Sequence, residues 1–363
     1  KKTTNPTPGL NAPGGNTCHN SGRFNQDKAL YRFSKEHGGL YCEACHDSTH
    51  AIAPSREAND AIKFVALQGK NGPISDCNVC HTVPVNVNLG PHRLGTAITH
   101  IISGNVGIAG AALKYFDVTA KTAIADGSGN YSFRVSNNWS GKVTPVKSGV
   151  AFFTPAFRTY TKVVTDQINQ NYKANILAAF VSVAAQDGYI RESTETSNTG
   201  GMLDNNSSFF VVGDNVLRRQ YRAILSFNTT NLPDNAVIVS ARVRLQLQRV
   251  SGSDPFSSLG ALVMDIRKPY FGAAPALGLD DFAAVADRNA AGTIARPTSG
   301  AVYTGNLTAA SFPFINKTGL TQLRLRFQID DNNNNVADFL AFYSAETINA
   351  SFRPVLQITY YVP

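Results

Sequence analysis

Two Cys-x-x-Cys-His runs near the start of the chain place reactive side chains at a defined spacing. They are Cys42-Glu43-Ala44-Cys45-His46 and Cys77-Asn78-Val79-Cys80-His81. In this pattern the two thiols form thioether bonds to the vinyl groups of a haem, and the adjacent histidine binds its iron. The two runs therefore predict covalent attachment of at least two c-type haems.

A third, incomplete run lies upstream. Cys18-His19 repeats the second half of the pattern, but Gly15 stands where the first cysteine belongs. Either Cys18 holds a third haem through a single thioether, with His19 as the iron ligand, or it is a leftover thiol. Because a free thiol in an exported protein is open to oxidation, the third haem is favoured, which gives three haems.

The second axial ligand of each iron is expected to be histidine. Only two methionines are present, Met202 and Met264, and both lie far along the chain. Bis-histidine ligation is therefore favoured over His/Met ligation, and low potentials follow. Three haems need six imidazoles and the chain has seven histidines. Those outside the three runs are His37, His50, His92 and His100.

Other chemistries compete for the same residues. Four cysteines in two Cys-x-x-Cys pairs also satisfy a structural zinc pattern, but zinc does not require a histidine directly after each pair. Disulfides fit less well, since five cysteines is an odd number. A haem enzyme such as a peroxidase or nitrite reductase would keep one axial position of its iron open. Here the histidines are numerous enough to occupy both axial positions of all three irons.

On these runs, the N-terminal segment resembles multihaem c-type cytochromes of the type that forms extracellular filaments. The resemblance implies electron transfer, with Cys18, Cys42, Cys45, Cys77 and Cys80 holding haem. It implies iron ligation by the run histidines and by the four others, of which His37, His50 and His92 stand at positions typical of distal ligands.

The chain divides into three segments, which predict a mostly β protein with an irregular N-terminal haem-binding segment and two β-sandwich domains. Residues 1–100 show little periodicity. Residues 101–178 contain the turn and alternating strand of Asp126–Val135. Residues 179–363 contain a near-strict alternation from Ala241 to Leu247, typical of a strand with one buried face.

Two further resemblances concern these β segments. With Ser103–Asn105, Ala109–Ala112 and Asp126–Val135, the middle segment resembles carboxypeptidase-regulatory-like or Ig-like sandwich repeats. The last segment, with its strand patterns ending in Val355–Tyr360, is similar to DNRLRE-type jelly-roll modules, a group related to carbohydrate-binding modules. The resemblance implies a spacer role for the first and either a structural or a sugar-binding role for the second.

Charge and hydropathy exclude some classes of function. The formal charge is +8, but basic residues cluster no further than pairs such as Arg218-Arg219, so nucleic-acid binding is not expected. No apolar run is long enough to span a membrane. The start at Lys1 without a hydrophobic signal indicates a processed, exported protein, and haem attachment outside the cytoplasmic membrane agrees with that.

One polar run could bind a metal other than iron. Asp330-Asp331 followed by four asparagines, with Asp338 close behind, offers oxygen ligands of the kind Ca²⁺ prefers. The run lacks the glycine and terminal glutamate of an EF-hand loop. A solvated hairpin loop is therefore favoured over a calcium site.

The predicted function is extracellular electron transfer through closely packed haems, in subunits that polymerise into a filament. The predicted partners are further copies of the chain, together with redox proteins or extracellular electron acceptors. The alternative is a monomeric or surface-attached carrier whose C-terminal module binds polysaccharide. No enzymatic activity is expected.

Overall fold

A computed structural model describes residues 62–71 and 99–363, short pieces at 35–36 and 40–41, and the single positions 74 and 79. The chain forms two compact units, one of residues 1–100 with 135–138 and one of 101–134 with 139–363. In the first unit, β1 (Lys35–Glu36) pairs with β2 (Leu40–Tyr41), and α1 (Ile62–Gln68) buries Phe64. No helix of the described residues is long and apolar enough to cross a membrane.

A small β module follows. Its strands are β3 (Thr99–Asn105), β4 (Ala112–Asp117), β5 (Thr119–Ile124), β6 (Asn130–Ser136), β7 (Trp139–Val146), β8 (Val150–Thr154) and β9 (Arg158–Val163). Strands β3 and β6 form a two-stranded sheet, and a four-stranded sheet has the order β5-β4-β7-β9. Tyr131, Phe133 and Val135 are buried at alternate positions of β6, as the period of two requires.

The rest of the chain builds one large antiparallel sheet. Its strands are β10 (Lys173–Val181), β11 (Gly188–Glu192), β12 (Gly200–Asp204), β13 (Phe209–Asp214), β14 (Gln220–Asn228), β15 (Val237–Ser251), β16 (Leu262–Arg267), β17 (Arg288–Ala295), β18 (Val302–Leu307), β19 (Leu320–Phe327), β20 (Phe339–Tyr343) and β21 (Val355–Tyr361). A short helix, α2 (Pro255–Ser258), precedes β16, and 3-10 helices lie at Ala184–Gln186, Leu279–Phe282, Ala309–Phe314 and Ala350–Phe352.

Eight of these strands close a ring around the main apolar core. The hydrogen-bonded order is β14-β19-β16-β17-β18-β15-β20-β13 and back to β14. Strands β11 and β12 extend the sheet from β14, and β21, β10 and β8 extend it from β15. Ala241, Val243 and Leu245 of β15 are buried in the core while Arg242 between them is exposed. The mostly β fold class predicted from the sequence is confirmed.

Strand β8 joins the small module to the large sheet. It belongs to the small module in sequence, but it pairs antiparallel with β10, with Phe152 opposite Asn175. The buried Asn175 amide donates hydrogen bonds to the Phe152 carbonyl (3.2 Å) and to Thr154 Oγ1 (3.0 Å). The two modules therefore share one hydrogen-bonded sheet, and the predicted boundary between residues 178 and 179 falls inside β10.

Candidate functional site

The predicted N-terminal site lies almost wholly outside the described residues. This holds for the five cysteines and for six of the histidines, namely Cys18, Cys42, Cys45, Cys77, Cys80, His19, His37, His46, His50, His81 and His92. His100 is described and lies in β3, where its Nε2 is 2.8 Å from Asn137 Oδ1. In the described part of the chain, no group of three or more His, Cys, Asp or Glu side chains could hold a metal ion.

The predicted calcium loop is a hydrogen-bonded turn. The Asp338 carboxylate is buried, and its Oδ2 accepts hydrogen bonds from the side-chain amides of Asn332 (2.6 Å) and Asn334 (3.0 Å). Its Oδ1 accepts a hydrogen bond from the Ser253 backbone N–H (2.6 Å). The prediction of calcium was wrong, because amide and backbone donors already surround the oxygens that a cation would need.

The same turn is tied to the core through Asp214 at the end of β13. Asp214 Oδ1 accepts a hydrogen bond from the Asp338 backbone N–H (2.9 Å), and both carboxyl groups are buried. Burial, together with the nearby charge of Asp338, raises the pKa of Asp214 to about 6, against the opposing effect of its hydrogen bonds. The folded state therefore favours the protonated form of Asp214, and the stability that this proton contributes is lost as pH rises through about 6.

A buried ion-pair network joins β16 and β19. Asp265 of β16 accepts hydrogen bonds from Arg324 (3.0 Å) and Arg326 (2.9 Å) of β19. Arg324 also donates to the backbone carbonyls of Phe282 (3.2 Å) and Ala284 (2.7 Å). Burial alone would raise the pKa of Asp265, but the hydrogen bonds from Arg326 and the two guanidinium charges hold it below its ordinary value. This network fixes the segment around the 3-10 helix Leu279–Phe282 to the sheet.

A second buried carboxyl has a negative neighbour instead of a positive one. Asp187, just before β11, is completely buried, and its Oδ2 accepts a hydrogen bond from the Ala345 backbone N–H (3.2 Å). Burial first, and the carboxylate of Glu346 second, raise the pKa of Asp187 well above its ordinary value. Asp187 is therefore expected to be protonated at neutral pH, which is a property that the sequence pattern did not indicate.

An open groove of about 640 Å³ lies on the C-terminal module. Phe312, Ile238 and Asn316 line it, together with the ammonium groups of Lys268 and Lys317. The Lys268 ammonium is held by the Pro313 carbonyl (2.8 Å), and that of Lys317 by the carbonyls of Asp234 (2.9 Å) and Ala236 (2.6 Å). The groove therefore offers two positioned cations, one amide and an apolar wall.

Comparison with known proteins gives no family for the chain. No protein-family model matches it, and no curated protein does. Among solved structures, the chain is similar to the major pilin subunit of Bacillus cereus, with 11% identity, a TM-score of 0.27, and 69% of this chain and 60% of the pilin covered. The chain is also similar to the major pilin SpaD of Corynebacterium diphtheriae, with 10% identity and a TM-score of 0.25. This match covers 70% of this chain and 58% of the pilin. The chain thus spans about three fifths of the length of the pilins it matches.

A third solved structure is a DUF3823 family protein from Bacteroides ovatus. Its identity is 10% and its TM-score 0.19, and the match covers 42% of this chain and 66% of that protein.

These findings correct the predicted identity. No family model and no curated protein supports the predicted multihaem cytochrome fused to carboxypeptidase-regulatory-like and DNRLRE-type modules, and the described residues contain no group that could hold a metal. The family assignment and the assignment of haem c as cofactor are therefore overturned. The physical reason is that a Cys-x-x-Cys-His run is only five residues long, and such a motif identifies a site only together with its structural context.

Proposed function

We propose that the chain is a non-enzymatic subunit of the cell surface or extracellular space, and that copies of it assemble end to end through the edges of the large sheet. The observation that carries the proposal is that the large sheet extends beyond its closed ring and ends in two edge strands. Within the described residues, its two ends are different strands, β8 and β12, and each pairs on one side only. A strand with an open edge is a template for pairing with another chain.

Two different ends favour an open assembly over a closed dimer. A contact between unlike surfaces repeats from copy to copy, and it generates a filament when the rotation does not close a ring. Because β8 belongs to the small module and β12 to the C-terminal module, both modules would contribute to each contact. The hydrogen bonds of Asn175 to β8 would stiffen such a subunit.

Electron microscopy of the purified intact chain tests the assembly, together with a pair of matched variants. Ala151 is exposed on the edge strand β8, and Thr304 is exposed on β18, where it pairs with Arg244 of β15 on one side and Ala295 of β17 on the other. Ala151→Lys should abolish filaments, since a lysine on an edge strand opposes strand addition, whereas Thr304→Lys should leave them intact. Monodisperse particles from the wild type, or equal effects of the two variants, would contradict the proposal.

Electron transfer, the other part of the predicted function, rests on cysteines and histidines outside the described residues and stays a prediction. A spectroelectrochemical titration of the intact chain tests it. A reversible redox response would support it, and a chain that is silent over the whole accessible potential range would rule it out.

Binding of polysaccharide by the C-terminal module is the second candidate, and the groove favours it. Sugar sites combine an apolar wall with a few fixed polar groups, as Phe312, Asn316, Lys268 and Lys317 do here. Glycan binding by the intact chain should weaken in Lys268→Met and not in Lys173→Met, whose ammonium contacts Tyr361. No binding to any glycan would exclude this candidate.

A further inference from the structure

The β4–β5 hairpin of the small module exposes apolar side chains at its tip and along one face. Val118, between the two strands, is 83% exposed, and Phe116 just before it is 64% exposed. Ile124 at the far end of β5 is 63% exposed and Val146 of β7 is 44% exposed. Apolar residues scattered singly on a surface need no explanation, but here they are grouped, with Phe116 and Val118 at the tip and Ile124 and Val146 on either side of Ala112.

The strand register places these side chains on one face of the four-stranded sheet. Ala112 of β4 pairs with Ile124 on one side and with Val146 on the other, and cross-strand partners point to the same face. Lys114 and Phe116 follow Ala112 at alternate positions and share that face. We name the side chains of Lys114, Phe116, Ile124 and Val146 the outer face.

Val118 holds a backbone conformation that its side chain disfavours. Its φ is +63°, in the left-handed region where a β-branched residue is a clear outlier. Glycine or asparagine would occupy this turn with less strain. An exposed, strained valine contributes nothing to the core, so its apolar side chain at the hairpin tip is available for a contact outside the chain.

The charge around the outer face indicates the kind of contact. Between residues 99 and 171 the chain carries five lysines and two arginines against three aspartates, while residues 172–363 are close to neutral with sixteen basic and fifteen acidic residues. Lys114 lies on the outer face, and Lys142 lies on β7 at an alternate position to Val146. An apolar tip next to lysines on a basic module complements a surface that is negative outside and apolar inside.

We propose that the outer face and Val118 dock on an anionic lipid surface, with Val118 and Phe116 entering the boundary between headgroups and acyl chains. Lys114 and Lys142 would lie against the acidic headgroups. A second copy of the chain is a poorer occupant, because its C-terminal module is close to neutral and its small module is basic, so neither offers a negative surface to the lysines. A hydrophilic acidic polymer would leave Val118 and Phe116 exposed. The binding of such surfaces depends on both buried apolar area and attraction to anionic lipid.

Flotation of the intact chain with lipid vesicles tests the proposal. The wild type should float with vesicles of phosphatidylcholine containing about one third phosphatidylglycerol. It should float much less with phosphatidylcholine alone, and binding should fall at high salt because screening weakens the lysine contribution. Phe116→Ser should weaken binding by about tenfold or more, the factor that corresponds to transferring one large apolar side chain back to water.

A matched pair of variants separates binding from folding. Val118→Asn places a residue that tolerates positive φ at the tip, so its melting temperature should equal or exceed that of the wild type while flotation is lost. Val285→Asn changes an equally exposed valine, 79% exposed and far along the chain, and should float like the wild type.

Three results would overturn the proposal. The first is a wild-type chain that does not float with the anionic vesicles. The second is a Val118→Asn variant that binds them as the wild type does. The third is an oligomer, seen by analytical ultracentrifugation, that Val118→Asn dissociates while vesicle binding is unchanged, which would assign the outer face to a second copy.

Discussion

The carboxyl groups of Asp187 and Glu346 face each other, and that of Asp187 is completely buried. Because burial disfavours the charged form of Asp187, and the nearby Glu346 carboxylate adds repulsion, the pKa of Asp187 is raised and it retains a proton that an isolated aspartate would lose. Ala345, next to Glu346, donates its backbone N–H to Asp187 and joins the loop after β20 to the start of β11. The proton on Asp187 therefore helps to hold two distant segments of the large sheet together.

Asp187→Asn should remove a pH dependence of stability. The pKa of Asp187 is raised to about 8 in the folded chain and is near 3.9 in the unfolded chain. The folded state therefore binds the extra proton between these values, and the stability that this proton contributes is lost as pH rises through that window. Urea unfolding of both proteins at pH 5 and pH 8 measures the effect.

Asp214 and Asp281 also have pKa values raised to about 6, so they add to the pH dependence of both proteins. The quantity to compare is therefore the change in unfolding free energy from pH 5 to pH 8 in the wild type and in the variant. The variant should lose less stability than the wild type between pH 5 and pH 8. Equal losses would show that Asp187 is ionised throughout.

Arg324→Met should cost far more stability than a surface substitution of the same kind. It leaves the Asp265 carboxylate buried with one fewer cation, and breaking a buried pair in this way costs about 3–5 kcal/mol. The control is Arg267→Met, which breaks the half-exposed pair with Asp287 and should cost less than about 1 kcal/mol. Equal free energies of unfolding in the two variants would contradict a structural role for the network.

Local periodicity was enough to predict individual strands. The alternation over Ala241–Leu247 predicts a strand, and it lies inside β15. The turn and alternation over Asp126–Val135 predict a turn followed by a strand, and that strand is β6 (Asn130–Ser136). The closure of the ring and the transfer of β8 to the large sheet could not be predicted, because both depend on pairing between segments that are far apart in sequence.

Side-chain environments were harder to predict than strands. The run Leu323-Arg324-Leu325-Arg326 has the alternation of a strand with a solvated basic face, yet Arg324 is buried because the segment after β16 covers that face. Asp338 looked like a cation ligand by composition alone, and only the positions of the neighbouring amides show that its oxygens are occupied. Sequence gives the charge of a side chain but not what covers it.

Gly213→Ala should destabilise the chain strongly. Gly213 has φ +133°, and a Cβ there would collide with the carbonyl oxygen of Asp338 and with Phe339 on the neighbouring strand. We expect a loss of more than about 2 kcal/mol, since backbone strain and overpacking act together. The control is Gly127→Ala, where a Cβ would meet nothing. Chemical denaturation of both variants checks this, and similar midpoints would be the contrary result.

Asn175→Ala should loosen β8 without unfolding the ring. The variant removes the amide that bonds to the Phe152 carbonyl and to Thr154 Oγ1 and creates a small gap in the sheet. Leaving buried groups without their partner costs about 1–3 kcal/mol. Hydrogen exchange should therefore accelerate at the backbone amides of β8, while amides of the closed ring, such as those of β19, keep their protection.

The matched control for this variant is Thr154→Val, which removes only the hydroxyl and leaves the Phe152 contact in place. It should accelerate exchange in β8 less than Asn175→Ala does. Uniform acceleration over the whole sheet in Asn175→Ala would mean that β8 and the ring open as one unit. The two modules would then share a single cooperative transition, and Asn175 would stabilise the whole fold instead of the junction.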